Sequence, residues 1–312
     1  MKKIIGLLVL LLLVSNVSNA QQNSKEFPKL TGPYFGQKPP GMTPEVFAPG
    51  IVSTDVGEFN IVISPDGREI YFSRSSDSRP TAIMVIKQEN GKWSKPTIAS
   101  FSGRWSDMDP SMSPDGNRIV FGSSRPSGKT NAEGCDIWIV ERMASGNWSE
   151  PRNVGDSINT MKNENYPMLI RNGTLYFQSN GHGGMGGLDI FRSEFRDGQF
   201  CSPENLGDAI NSTYNDFDAY IAPDESMMIF SSSNRLDGFG SGDLYVSFRK
   251  KDGTWMNAKN MGERINTSSI EYCPKISPDG KYFFFTSGRS GNGDIYWVDV
   301  KVIEELKPEE LK

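Results

Sequence analysis

The tetrapeptide Ser64-Pro65-Asp66-Gly67 decides the fold, because it returns unchanged as Ser113-Pro114-Asp115-Gly116 and as Ser277-Pro278-Asp279-Gly280. Weaker copies stand at residues 170–173 and 222–225. Pro-Asp-Gly is typical of a hairpin turn, since proline presets one φ angle and glycine adopts the positive φ that the turn requires. A β-rich segment follows each copy, as Glu69-Ile70-Tyr71-Phe72 follows the first. The five copies therefore predict five repeated hairpins.

Each repeat continues with two more strand signals. A glycine-rich loop leads to a short strand, which an aspartate opens in four of the five units (Asp136, Asp189, Asp243 and Asp294). A second turn then leads to an aromatic residue, and an asparagine-rich segment closes the unit, as at residues 153–160. The pattern predicts four antiparallel strands in each unit of about fifty residues.

The number of strands predicts how the units are arranged. A small four-stranded sheet cannot bury both of its faces alone, and a closed ring of such sheets leaves no exposed end. The fifth unit lacks a fourth strand, whereas residues 47–54 look like a fourth strand and precede the first unit. We therefore predict an all-β, five-bladed β-propeller over residues 45–300, in which the N-terminal strand completes the last blade. A six-bladed ring is the alternative, and it would need a further repeat.

The two ends of the chain have a different character. Lys2 and Lys3 precede an apolar run at residues 4–14, and Ser18-Asn19-Ala20 follows it. This order predicts a signal peptide over residues 1–20, and the apolar run is too short to span a bilayer. Residues 21–44 form a lead-in segment and residues 301–312 a charged C-terminal tail. We expect a periplasmic or secreted protein with no integral membrane segment.

Charge and cysteine content narrow the classes of partner. The chain of 312 residues has a net charge of −5. This argues against a nucleic-acid partner, because phosphate contacts need an excess of lysine and arginine. Closure of the ring within one chain favours a monomer. Cys135, Cys201 and Cys273 follow neither disulfide nor metal-site spacing, and we expect them to be buried apolar side chains.

The repeats resemble a known family. The Ser-Pro-Asp-Gly hairpins, the Asp-Ile-Trp and Asp-Ile-Tyr strands and the Asn-Leu-Gly-x-x-Ile-Asn linker at residues 205–211 look like the WD-like β-propeller repeats of TolB-type periplasmic proteins, in the versions found in exported proteins of Bacteroidetes. The resemblance covers residues 45–300. It implies a binding or scaffolding module in the cell envelope rather than a particular reaction.

One repeat position carries an acid in every unit, just before the first strand. The five acids are Glu58, Asp107, Glu164, Asp216 and Glu271. If the ring closes, we expect them to surround one mouth of the central channel.

A basic residue occupies the matching position after the second strand of each unit. These residues are Arg74, Arg125, His182, Arg235 and Arg289. Near-equal offsets from a hairpin turn place residues side by side on neighbouring strands, so each acid is predicted to face a base.

Two interpretations of these pairs remain open. They can be structural ion pairs that hold the loops, which fits their recurrence in every unit. They can instead form a charged rim that binds a protein segment or a glycan. The aspartates that open the third strands weakly suggest a calcium site at residues 237–243. The simpler interpretation is that each aspartate caps its own turn. We predict no cofactor.

The acids and bases of the rim also lead to a prediction of function. We predict a non-catalytic binding module with its ligand at the rim. The alternative is a carbohydrate-active enzyme of the glycoside hydrolase type, which would use two rim carboxylates as its catalytic pair.

Overall fold

A computed structural model of the chain describes residues 27–128 and 134–311, so the predicted signal peptide lies outside the described residues. Five antiparallel sheets follow one another along the chain and form a five-bladed β-propeller. The predicted fold class and blade number are confirmed. Within the described ranges, no helix is both long and apolar enough to cross a membrane.

The strands of each blade run outward from the central channel in chain order, except that the outer strand of the last blade comes from the N-terminal part of the chain. The innermost strands are β2 (Glu58–Ile63), β7 (Asp107–Met112), β11 (Glu164–Leu169), β17 (Asp216–Ile221) and β21 (Glu271–Ile276). The second strands are β3 (Glu69–Arg74), β8 (Arg118–Ser123), β12 (Leu175–Ser179), β18 (Met227–Ser232) and β22 (Tyr282–Ser287). The third strands are β4 (Ala82–Glu89), β9 (Asp136–Glu141), β13 (Asp189–Ser193), β19 (Asp243–Phe248) and β23 (Asp294–Asp299). The short outer strands are β6 (Thr97–Ile98), β10 (Arg152–Asn153), β16 (Glu204–Asn205), β20 (Lys259–Asn260) and β1 (Glu45–Val46).

A few short elements supplement the blades. β5 (Lys92–Trp93) extends the first blade, and β14 (Phe195–Arg196) pairs with β15 (Gln199–Phe200) beside the third. The helices are a 3-10 turn at Pro33–Gly36, α1 (Lys301–Glu304) and a 3-10 turn at Glu309–Leu311.

The last blade is closed by the N-terminal strand, as predicted, but the predicted bounds of that strand are wrong. β1 pairs with β23 through Glu45 opposite Trp297 and Val46 opposite Tyr296. Most of residues 47–54 forms a turn instead of the predicted strand. Ala48 has a φ of 46°, and its carbonyl accepts the amide of Ile51 at 3.0 Å, so the chain folds back on itself.

Both terminal segments pack on the propeller. Phe35 of the lead-in is buried against Phe47 and Trp93, with ring centroids 5.7 and 4.9 Å away. In the C-terminal tail, Val302 and Ile303 are buried in the core between the fourth and fifth blades. The apolar positions of these otherwise polar segments explain why they dock.

The innermost strands are irregular because each is a sheet edge that faces the channel. Each contains a β-bulge in its middle, where the pairing with the second strand shifts register. Proline follows the bulged residue in three of them, at Pro110, Pro167 and Pro274. An edge tolerates both features, since a residue without an amide proton costs no ladder bond there.

Candidate functional site

The five predicted acids lie at the first position of the innermost strands, at one end of the channel. We call the five carboxylates of Glu58, Asp107, Glu164, Asp216 and Glu271 the acid ring. All five residues have 0% of their surface exposed. A fully buried carboxylate needs several hydrogen-bond donors to stay ionised, and the neighbouring segments supply them.

Asp216 illustrates the arrangement. Its carboxylate accepts the backbone amide and the hydroxyl of Ser212 at 2.5 and 2.7 Å, and the Ser232 hydroxyl at 2.6 Å. The Arg235 guanidinium donates to the same carboxylate at 2.6 Å and to the Ile210 carbonyl at 2.6 Å. The network therefore joins the incoming linker, the innermost strand and the loop after the second strand.

Three other blades repeat the ion pair. The distances are 2.8 Å for Arg74–Glu58, 2.6 Å for Arg125–Asp107 and 3.3 Å for Arg289–Glu271. Each arginine also stacks on a phenylalanine of the second strand, for example Arg125 on Phe121 at 5.1 Å. Burial nevertheless raises the pKa of Glu58 above its usual range, although Thr54 and Arg74 oppose the shift.

The third blade departs from this plan. The His182 ring nitrogen lies 2.7 Å from the Ile158 carbonyl, where the arginines of other blades also donate to a linker carbonyl. The Glu164 carboxylate is held by Thr160 at 2.8 and 2.7 Å and by Ser179 at 2.8 Å. His182 thus takes over the contact to the linker, and hydroxyl groups hold the acid.

The geometry of the acid ring matches the structural interpretation of these pairs. The networks connect successive segments within the ring of blades, and no surface of the carboxylates reaches solvent. Ligand binding at this rim stays a prediction, and a ligand there would meet the outer faces of the arginines, which remain partly exposed.

Two of the aspartates that open the third strands accept hydrogen bonds from the backbone of the loops that precede them. Asp243 accepts the amide of Phe239 at 2.9 Å and that of Gly240 at 3.4 Å, and Asp189 accepts the amide of Met185 at 2.5 Å. Within the described part of the chain, no group of three or more histidine, cysteine, aspartate or glutamate side chains is placed to hold a metal ion. All three cysteines are free thiols, and only Cys273 is buried.

The middle of the channel holds a polar cluster that the sequence analysis missed. We call it the plug. It consists of the bulged third residue of each innermost strand together with one lysine: Asn60, Asp109, Tyr166, Asp218, Cys273 and Lys275. All five bulged residues have φ between 46° and 55°. This rare backbone conformation recurs in every blade and gives the third position a geometry unlike that of a regular strand.

Contacts between blades hold the plug together. The Tyr166 hydroxyl of the third blade donates to the Pro274 carbonyl of the fifth blade at 3.0 Å. The Cys273 thiol donates to the Asp218 carboxylate at 3.3 Å. The Lys275 ammonium lies 4.5 Å from the centroid of the Tyr166 ring. The plug therefore links blades that are not neighbours in the ring.

The charges of the plug are strongly perturbed. Burial, assisted by the nearby Asp218, raises the pKa of Asp109 to about 8. Burial also raises the pKa of Asp218 to about 6, against the lowering effect of its hydrogen bonds from Cys273. Burial lowers the pKa of Lys275 to about 8 although Cys273, Asp109 and Asp218 favour its charged form. Burial therefore favours the protonated form of both aspartates and the neutral form of Lys275.

The channel opens beyond the plug into a cavity of about 330 Å³, which we call the vestibule. It lies at the opposite end from the acid ring, between the first hairpin turns of the five blades. Its mouth is formed by Pro65, Pro114, Arg171, Pro223 and Pro278. Its walls are mostly apolar, with Ile61, Met112, Met168 and Ile276 among them, and Lys275 belongs to its lining. Such a concave, apolar site with a few polar groups is the usual form of a binding pocket.

Solved structures of other proteins share the fold of this chain. No family model matches the chain, and no curated protein sequence matches it. Among solved structures, a glycoside hydrolase has a TM-score of 0.55 at 9% identity over 89% of this chain and 93% of that chain. A protein solved as an RGII complex has a TM-score of 0.52 at 8% identity over 86% and 91%. A putative TolB from Agrobacterium tumefaciens is also found, with a TM-score of 0.47 at 20% identity over 76% and 73%.

The β-propeller fold that the resemblance implies is confirmed. At these identities the similarities concern the arrangement of the blades and no activity. The first of the three structures shows that a glycoside hydrolase also uses this blade arrangement.

Proposed function

We propose that the protein is a non-catalytic binding module of the cell envelope, which holds a protein segment or a glycan at the turn end of its central channel. The observation that carries the proposal is the vestibule, a cavity of about 330 Å³ on the axis of the ring to which all five blades contribute. A ring that converges on one pocket offers a ligand contacts from five directions at once. The expected location is periplasmic or secreted, as the predicted signal peptide implies.

Binding is favoured over catalysis by the state of the acid ring. A glycoside hydrolase needs one carboxyl group that reaches the glycosidic oxygen and another that reaches the sugar carbon or a water molecule. The five acids have 0% exposure, and each is held by hydroxyl, amide or guanidinium donors. Using them for catalysis would require breaking networks that connect successive blades.

Site-specific photocrosslinking tests the proposal. Benzoylphenylalanine replaces Arg171 at the vestibule mouth in one variant and Leu236, which is 98% exposed at the acid-ring end, in another. Arg196 on an outer hairpin provides the control position. We expect a discrete adduct with an envelope component only from position 171 after irradiation of cells that export the full chain.

The other outcomes decide between the alternatives. Adducts only from position 236 would move the ligand to the predicted acidic rim. Equal labelling from all three positions, or none from any, would contradict a ligand site on the channel axis. N-terminal sequencing of the exported protein checks the location, with Gln21 as the expected first residue.

A further inference from the structure

We propose that the vestibule takes the C-terminal end of a partner polypeptide, with an apolar last side chain against its walls and the terminal carboxylate beside Lys275. This inference rests on the function proposed above and names the chemical class of the ligand. It is carried by the charges of the vestibule, the state of the lysine and the grooves that leave the cavity.

The charges that line the vestibule are of one sign. Among the described residues of the lining, only Arg171 at the mouth and Lys275 at the inner end are charged, and both are basic. The protein as a whole has more acidic than basic residues, 38 against 33. An acidic protein that lines an apolar cavity with basic groups alone is complementary to a ligand with an apolar body and a negative end.

The inner basic group has unused hydrogen-bonding capacity. Lys275 is 6% exposed, and its ammonium has no hydrogen-bond partner among the described residues. The acidic groups that face it are Asp109 and Asp218, and Asp218 already accepts the Cys273 thiol. An ammonium group has three donors, and burying them without acceptors is costly. Lys275 belongs to the lining of the cavity, and its flexible four-carbon stem allows the ammonium to move from its position over the Tyr166 ring to a carboxylate at the floor.

The walls define the rest of the ligand. Ile61, Val62, Met112, Met168 and Ile276 surround the cavity, whose volume lies near the lower limit of about 300 Å³ for ligand pockets. A single apolar side chain with the adjoining backbone carboxylate matches these contacts. Methionine in the wall adapts to side chains of different shape.

Grooves connected to the vestibule indicate a polymer rather than an isolated small acid. A groove of about 480 Å³ shares Ile63, Pro65 and Pro278 with the vestibule and runs beneath the lead-in segment toward Trp93. A second groove, of about 370 Å³, shares Ile276 and Gly280 and runs along α1. A chain whose last residue occupies the vestibule can therefore continue across the turn face in an extended conformation.

A matched pair of peptide pools tests the inference. Both pools are fluorescein-labelled hexapeptides whose last two positions are randomised over Leu, Ile, Val, Met and Phe. One pool ends in a free carboxylate and the other in a carboxamide. In fluorescence anisotropy at pH 7, we expect the free-acid pool to bind at least tenfold more tightly than the amide pool.

Two lysine variants test the role of the ammonium. Lys275→Met should abolish the preference for the acid, whereas Lys281→Met, which removes an exposed lysine from the turn of the same blade, should retain it. Equal binding of both pools by the wild type, or an unchanged preference in Lys275→Met, would overturn the inference. Binding of neither pool would also overturn it, while the photocrosslinking result at position 171 would separately decide the proposed function.

A pH titration of the wild type keeps the test valid even where the lysine variant does not fold. Lys275 has a pKa of about 8, and Asp109, which faces it together with Asp218, Cys273 and Tyr166, also titrates with a pKa of about 8. Above this pH the lysine loses its charge and Asp109 gains one, and both changes weaken the binding of a carboxylate. We expect the preference for the acid pool to fall by up to about tenfold per pH unit above pH 8. A preference for the acid pool that is unchanged up to pH 10 would contradict the role of Lys275. Displacement of the peptides by low concentrations of octanoate would overturn the proposed ligand class, because it would identify the ligand as a small carboxylic acid.

Discussion

The acid ring and the plug of the central channel use charged residues in opposite ways. At the acid ring every buried carboxylate has hydrogen-bond donors. Asp216, for example, accepts hydrogen bonds from Ser212, Ser232 and Arg235. At the plug, Lys275 is buried without a hydrogen bond, and burial raises the pKa of Asp109. A satisfied network stabilises the fold, whereas an unsatisfied one stores a cost that a ligand can remove. This difference favours a stabilising role for the acid ring and supports the binding site proposed beside the plug.

The largest effect is expected from breaking the acid ring. Asp216→Ala leaves the Arg235 guanidinium buried without its carboxylate and frees the linker at Ser212. We expect a loss of about 3 kcal/mol in the free energy of unfolding, measured by urea titration. Asp224→Ala, which alters an exposed turn in the same blade, is the control and should change it by less than about 1 kcal/mol. A nearly unchanged midpoint for Asp216→Ala would contradict the structural role.

The next effect concerns the pH dependence of stability at the plug. The pKa of Asp109 is about 8 in the folded protein against an ordinary 3.8, so between these values the folded state keeps a proton that the unfolded chain has released. The contribution of this residue to stability therefore falls as the pH rises from about 4 to about 8. Asp109→Asn should remove that decline and be more stable than the wild type at pH 8 by about 2 kcal/mol. Parallel curves of stability against pH for the two proteins would show that Asp109 does not titrate in this range.

A smaller effect is expected at the lysine. Lys275→Met removes an ammonium without a hydrogen-bond partner, but it also removes the positive charge that faces Asp109 and Asp218. We expect the free energy of unfolding to fall by about 1 kcal/mol at pH 7, because a buried carboxyl group loses its counter-charge, while Lys281→Met leaves it unchanged. An increase in stability would show instead that burying the ammonium costs more than its charge contributes.

The smallest effect is expected from introducing into the third blade the arginine–carboxylate pair of the other blades. His182→Arg introduces a guanidinium that can reach both the Ile158 carbonyl and the Glu164 carboxylate, as Arg235 reaches the equivalent groups in the fourth blade. We expect a gain of about 0.5 kcal/mol, because the hydroxyls of Thr160 and Ser179 already hold the acid. Thermal unfolding followed by circular dichroism would detect it, and a loss of stability would show that the glycine-rich loop is built around the histidine.

The fold could be predicted because the repeat carries its own turn chemistry. Proline and glycine at the hairpins were enough to count five blades. A segment before the first unit that looks like a fourth strand was enough to predict how the ring closes. The bounds of the closing strand could not be predicted, since they depend on how residues 45–46 meet β23, a strand at the far end of the chain. The pairing of acids and bases followed from offsets within one hairpin, except for His182, whose partner is a carbonyl of the preceding linker.

The plug and the vestibule were not predicted, although one signal was present. A polar or aromatic residue or a cysteine stands two positions after each acid, and proline follows it in three blades. In a regular strand the third residue shares a face with the first, which conceals its role. Whether that residue reaches the channel depends on a bulge with positive φ.

The amino-acid sequence alone determined the repeating unit, the number of blades and the pairing of acid and base in four of the five blades, because those features come from turns and offsets between residues close along the chain. Only the tertiary structure decided which side chains share the channel and which end of it is open. The reason is physical: Asp109, Tyr166, Asp218 and Lys275 come from four different blades, and their burial and their pKa values exist only once the ring has closed.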